Sequence, residues 1–179
     1  EAITYGLHLH PGNTDLLIEQ AYLYLDTQKL QKAQKVAATI TEEYEPNVKM
    51  LKAELLLNEG KLEEAEELLN SIEDAGEFVS LTDIVYLFLD LGYPENAKEW
   101  LDRGKSRYAG NQDYLALTAD YLLATQQNEA AVETYNKLID IAPYNASYWV
   151  GLAKCHFIEE KVDKTIEACD FALAADEKC

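Results

Sequence analysis

Two columns of small residues run the length of this chain. Ala33, Ala65, Ala97, Ala131 and Thr165 follow one another at intervals of 32, 32, 34 and 34 residues. Ala21, Ala53, Val85, Ala119 and Ala153 precede them by twelve residues each and keep the same intervals. A fixed period of this length marks a repeat architecture in which one helix pair is copied and stacked. A small side chain at a matched site in each helix lets two antiparallel helices cross closely, where a large one would hold the backbones apart. The expected fold is therefore all-α, a solenoid of antiparallel helix pairs.

Apolar periodicity places the helices. Leu17, Ala21, Tyr24 and Leu25 give the 3.6-residue rhythm of an amphipathic helix over Thr14–Asp26. Thr27-Gln28-Lys29 breaks it, and a second helix is expected from Leu30 to about Glu43, stopped by Pro46. The same pattern returns around turns at Glu59-Gly60-Lys61, Gly92-Tyr93-Pro94, Gln126-Gln127-Asn128 and Glu159-Glu160-Lys161. This divides the chain into the second helix of a truncated repeat at 1–13, then repeats at 14–45, 46–77, 78–111, 112–145 and 146–179, read as one solenoid within a longer array. Tyr24, Phe88, Trp149 and Tyr135 are expected to fill the space between successive pairs. The first two periods are two residues short, which puts the deletion in the second helix or the turn after it. The stretch from Ile72 to Ser80 is where the least regular geometry is expected.

Asn145-Ala146-Ser147-Tyr148-Trp149-Val150-Gly151-Leu152-Ala153 resembles the opening helix of the tetratricopeptide repeat (TPR) family. Ala131, Tyr135, Leu138 and Pro143 resemble its second helix and closing proline, and Gly60 and Gly92 its intra-repeat turn. The resemblance covers essentially the whole chain. It implies a right-handed superhelical solenoid, a non-enzymatic protein–protein interaction module whose first helices line a concave face. Lys49 and Lys52 stand where the family carries Trp-like and Leu-like residues, so looser packing is expected in the second repeat. Val85 replaces the small residue of the third.

Charge narrows the partner. The formal net charge is -18, from 33 acids against 15 bases. Binding to phosphate backbones or anionic lipid needs clustered Lys and Arg, so nucleic acid and membrane surfaces are excluded as partners. The same charge sets aside pentatricopeptide repeats, also helix pairs, whose RNA-binding face is basic. Three cysteines give no disulfide framework. Cys155 and Cys169 are expected as buried thiols and Cys179 as exposed, which points to a reducing, cytoplasmic compartment. No chemistry is expected: there is no G-x-G-x-x-G, P-loop, H-E-x-x-H or C-x-x-C. His8 and His10 read as surface residues rather than metal ligands, and His156 as a packed aromatic. No cofactor and no metal are expected.

The candidate site is the concave strip. The period turns Tyr22, Leu25, Asp26, Glu54, Leu57, Tyr86, Leu89, Asp90, Asp113, Asp120, Leu123, Lys154 and Phe157 inward. The leucine row ending in Phe157 supplies apolar anchors, and the acids, Asp120 among them, are read as solvated. The chaperone-clamp subclass of the family grips carboxylates with inward Lys and Asn. Ile18, Tyr22, Met50, Glu54, Thr82 and Tyr86 stand at those places here, which rejects that partner. The expected partner is a protein or peptide segment, apolar with basic flanks. The alternative is an architectural segment with no ligand of its own. Uncovered terminal helices add an expectation of end-to-end self-association.

Overall fold

The structure is a computed structural model that describes residues 2–72 and 77–176. Among these, every regular element is an α-helix: α1 Ala2–Leu9, α2 Thr14–Asp26, α3 Leu30–Ala37, α4 Pro46–Asn58, α5 Leu62–Asn70, α6 Phe78–Asp90, α7 Pro94–Gly104, α8 Gln112–Ala124, α9 Asn128–Ile141, α10 Ala146–Ile158 and α11 Val162–Asp176. None is long and apolar enough to cross a membrane. The chain forms two compact units, residues 1–80 and 81–179. Cys179 and residues 73–76 of the stretch expected to be irregular lie outside the described residues.

In the first unit α2 and α3 form a pair, and α4 packs on it through Val48, Leu51 and Leu55. Ala21, Ala33, Ala53 and Ala65 have no exposed surface. Helix α3 ends six residues before the expected Glu43. Thr39, Ile40 and Thr41 follow its last turn, a β-branched run that resists continued helix, and Ile40 folds back into the core. Pro46 therefore does not stop α3; it opens α4 at the first helical position, where its missing N–H costs nothing. The short α3 and α5 account for the two-residue deficit of the first periods. The looser packing expected from Lys49 and Lys52 is not found. Val48, Leu51 and Leu69 are fully buried, while Lys49 donates to the Ser71 carbonyl at 2.6 Å and Lys52 pairs with Glu43 at 2.9 Å. The lysine stems lie along the helix and their ammonium groups leave the core.

In the second unit the small columns continue as Val85, Ala97, Ala119 and Ala131, all without exposed surface. Helix α10 seats on α8 and α9, burying Tyr148, Leu152 and Cys155 against Ala119, Tyr135 and Leu138. Trp149 stacks on Phe171 with ring centroids 4.6 Å apart and donates Nε1–H to the Pro143 carbonyl at 2.8 Å. Asn111 and Asn145 cap α8 and α10, each side chain accepting a first-turn N–H at 3.0 and 3.1 Å. Asn13 does the same for α2 at 2.9 Å in the first unit.

The turns within the pairs share one conformation. Gln28, Gly60, Gly92, Gln126 and Glu160 all have positive φ, between 55° and 82°. In each case the next N–H donates to the carbonyl five residues back, as Lys61 does to Leu56 at 2.9 Å and Gln127 to Leu122 at 2.9 Å. This closes the helix end and reverses the chain in three residues. Nothing lies within 4 Å of a Cβ built on Gly60. Replacing Gly60 with Ala therefore tests backbone strain without crowding. The expected loss is about 1 kcal/mol, the left-handed penalty less the entropy gained by leaving glycine, read as a lowered urea midpoint. An unchanged midpoint would remove the turn from the account of pair geometry.

Candidate functional site

The inward residues of the first unit divide by burial. Asp26 is exposed, Tyr22, Leu25 and Glu54 are half-buried, and Leu57 is 3% exposed. Leu57 is thus a core residue and offers no anchor to a partner. Ile18, also read as inward, is buried in the core that α2 forms with α3 and α4.

The second unit presents Asp90 and Asp113 to solvent, and its Leu89 and Leu123 are half-buried. Tyr86 is 37% exposed. Asp120 is not the solvated acid expected from its position. It is half-buried, and its Oδ2 accepts the Tyr86 hydroxyl at 2.5 Å while its Oδ1 accepts the Tyr135 hydroxyl. Burial first, and the carboxylate second, push both phenols above their ordinary range, so they remain protonated donors. Asp120 is therefore a fixed bridge joining α6, α8 and α9. The signal for it was present in the sequence: Tyr86 and Asp120 occupy successive places in one column, 34 residues apart. Tyr135 reaches the same carboxylate because α10 leaves room for its ring. A Cβ built on Gly151 would lie 2.2 Å from Cε1 of Tyr135.

Lys154 and Phe157 sit apart from this acidic stretch. They line a cavity of about 610 Å³ beside α10 and α11, together with Leu123, Val150, Cys169 and Leu173. Phe157 is 74% exposed and Leu173 67% exposed. Cys169 is exposed, which corrects the expectation of a buried thiol: it faces this open notch, where nothing packs on it. Cys155 is buried, and burial pushes its thiol up to about 11. His156 is packed as expected, with Nδ1 3.6 Å from Glu159 Oε2. His8 is exposed on α1 and His10 just beyond it. No group of three or more His, Cys, Asp or Glu side chains that could hold a metal occurs among the described residues.

Helix hairpins with a small residue in each arm, left-handed closing turns and a half-exposed inner strip define an α-helical repeat solenoid. The tetratricopeptide repeat family profile matches residues 18–79 and 116–178, well over half the chain. The chain belongs to that family. A TPR protein from Parabacteroides merdae ATCC 43184 superposes with a TM-score of 0.63 at 16% identity, covering 97% of this chain and 70% of the other. A putative kinesin light chain from Podosopora anserina, with nearly identical TPR-like repeats, gives 0.58 at 18% identity, covering 94% and 97%. YrrB, described as a TPR protein with an unusual peptide-binding site, gives 0.51 at 15% identity, covering 98% and 92%. No curated protein matches the sequence. Tetratricopeptide repeats generally mediate protein–protein interaction, and the family is typically a non-enzymatic scaffold.

Proposed function

We propose that this chain is a peptide- or protein-binding module whose inner strip selects apolar segments with basic flanks. The observation that carries this is the pair of exposed acids, Asp90 and Asp113, in the same unit as the half-exposed ring of Tyr86. The hydroxyl of Tyr86 is held by Asp120, so its ring is pre-oriented and loses little freedom when a partner packs on it. Acids at the rim speed encounter with a basic partner and suppress acidic ones. A solved structure of the same fold, YrrB, is described as having a peptide-binding site, which supports the class of partner.

A random peptide library screened against the full chain tests the reading. Segments with Lys or Arg flanking aliphatic residues are the expected selection. Binding should weaken as salt shortens the screening length toward about 8 Å. A double charge reversal, Asp90→Lys with Asp113→Lys, is expected to weaken the selected peptides about tenfold or more. Affinities indifferent to that reversal would remove the strip and favour the architectural reading.

A further inference from the structure

The second unit holds another cavity, between the second helices of adjacent pairs. Residues of α9 and α11 wall it, residues of α10 floor it, and its volume is about 330 Å³. The stacked rings of Trp149 and Phe171 stand at one end. Two turns further along α10 comes His156, with Lys164 on the α11 wall. This cleft faces outward whether or not another pair follows. The positions 34 residues earlier lie on α7, α8 and α9 and are followed by α10 and α11. Their rim residues Lys98 and Asp102 nevertheless keep 60% and 54% of their side chains exposed.

The two copies differ in chemistry. On the earlier rim Lys98 and Asp102 satisfy each other at 2.9 Å, and the floor positions are Leu115 and Leu122. In the later copy Val132 and Asn136 replace the ion pair, Trp149 and His156 replace the leucines, and Lys164 replaces Ala130. His156 is 8% exposed, lines the cavity, and completes no hydrogen bond through Nδ1. Glu159 Oε2 lies 3.6 Å from that nitrogen. The carboxylate favours the tautomer with its proton on Nδ1, which leaves Nε2 as an acceptor. Lys164 and Glu167 bring one charge of each sign to the lining, one turn apart on α11. Neither is ion-paired with a described residue.

We propose that this cleft binds a free α-amino acid with an apolar side chain, held as its zwitterion. Volume sets the size, since the cavity is at the small end of ligand sites, which run from about 300 to 1,000 Å³. Two helical turns give a trough about 10 Å long, too short for a partner helix. Charge sets the class. Lys164 and the Asn136 amide donate to a carboxylate, while Glu167 and His156 Nε2 accept from an ammonium group. A plain carboxylic acid would leave Glu167 unmatched, and a plain amine would leave Lys164 so. Leu152 and the Trp149 ring receive the apolar side chain.

Calorimetric titration of the full chain with L-phenylalanine is the test. Phenethylamine and 3-phenylpropanoate present the same ring with one charge removed. Saturable binding of phenylalanine is expected, at least about tenfold tighter than either. Lys164→Ala installs the residue of the earlier copy and should weaken phenylalanine about tenfold while leaving phenethylamine unchanged. His156→Leu, likewise a residue of the earlier copy, should weaken both, with circular dichroism unchanged in each variant. Equal affinities for the three compounds, or phenylalanine binding untouched by Lys164→Ala, would overturn the proposal. So would the absence of saturation with phenylalanine, leucine and methionine alike.

Discussion

Replacing Gly151 with alanine should destabilise residues 81–179 by about 3 kcal/mol, the largest effect expected of any single methyl group here. Propensity alone predicts the opposite sign, since alanine in mid-helix is favoured over glycine by about 1 kcal/mol. Geometry decides the matter. The added Cβ would fall 2.2 Å from Cε1 and 2.3 Å from Cζ of Tyr135, a rigid ring that is 2% exposed and cannot swing away. Moving it would also pull its hydroxyl from Asp120. Urea unfolding followed by circular dichroism measures the change. A compensating Tyr135→Phe in the same chain should recover little, because the ring rather than the hydroxyl makes the collision, whereas Tyr135→Leu should recover most of it. Gly151→Ala with unchanged or raised stability would show that α10 and α9 do not approach as described.

Removing the Asp120 carboxylate should cost about 2 kcal/mol. Asp120→Ala leaves the buried Tyr135 hydroxyl without an acceptor, and an unsatisfied buried donor carries a penalty of about 1–3 kcal/mol. The Tyr86 hydroxyl adds less, since water reaches that partly exposed ring. Asp120→Asn should cost about 1 kcal/mol, because the amide keeps one acceptor oxygen but loses the charge that strengthens both bonds. Asp90→Asn, exposed at the end of α6, should stay within about 0.5 kcal/mol. A double-mutant cycle between Asp120→Ala and Tyr135→Phe separates the pair from its surroundings, with a coupling of about 1 kcal/mol expected. Additive losses would mean that the tyrosine is not held by this carboxylate.

The small columns were legible because burial in a repeat is periodic. A residue that must let two helices close has to be small in every copy, and Ala21, Ala53, Ala119, Ala33, Ala65 and Ala131 are all fully buried. The closing turns were legible only in part. Gly60 and Gly92 marked them, but Gln28, Gln126 and Glu160 take the same left-handed conformation without the residue that advertises it. Asn13, Asn111 and Asn145 cap their helices, and the sequence carries a direct signal for them, a side-chain acceptor just before an apolar run. The inner strip was least legible. Periodicity says which way a side chain leaves its helix, not how deeply its neighbours cover it, so Leu57 and Asp26 looked alike and are not. Asp120 required a further step, the comparison of adjacent positions within one column, because its partners Tyr86 and Tyr135 belong to two other helices.

The division into residues 1–80 and 81–179 has a spectroscopic consequence. Both tryptophans of the sequence, Trp100 and Trp149, fall in the second unit. Intrinsic indole emission therefore reports the unfolding of that unit alone, while far-ultraviolet ellipticity sums the helices of both. Overlaying the two denaturation curves of the unaltered chain measures how strongly its halves melt together, and no extrinsic label is needed to do it.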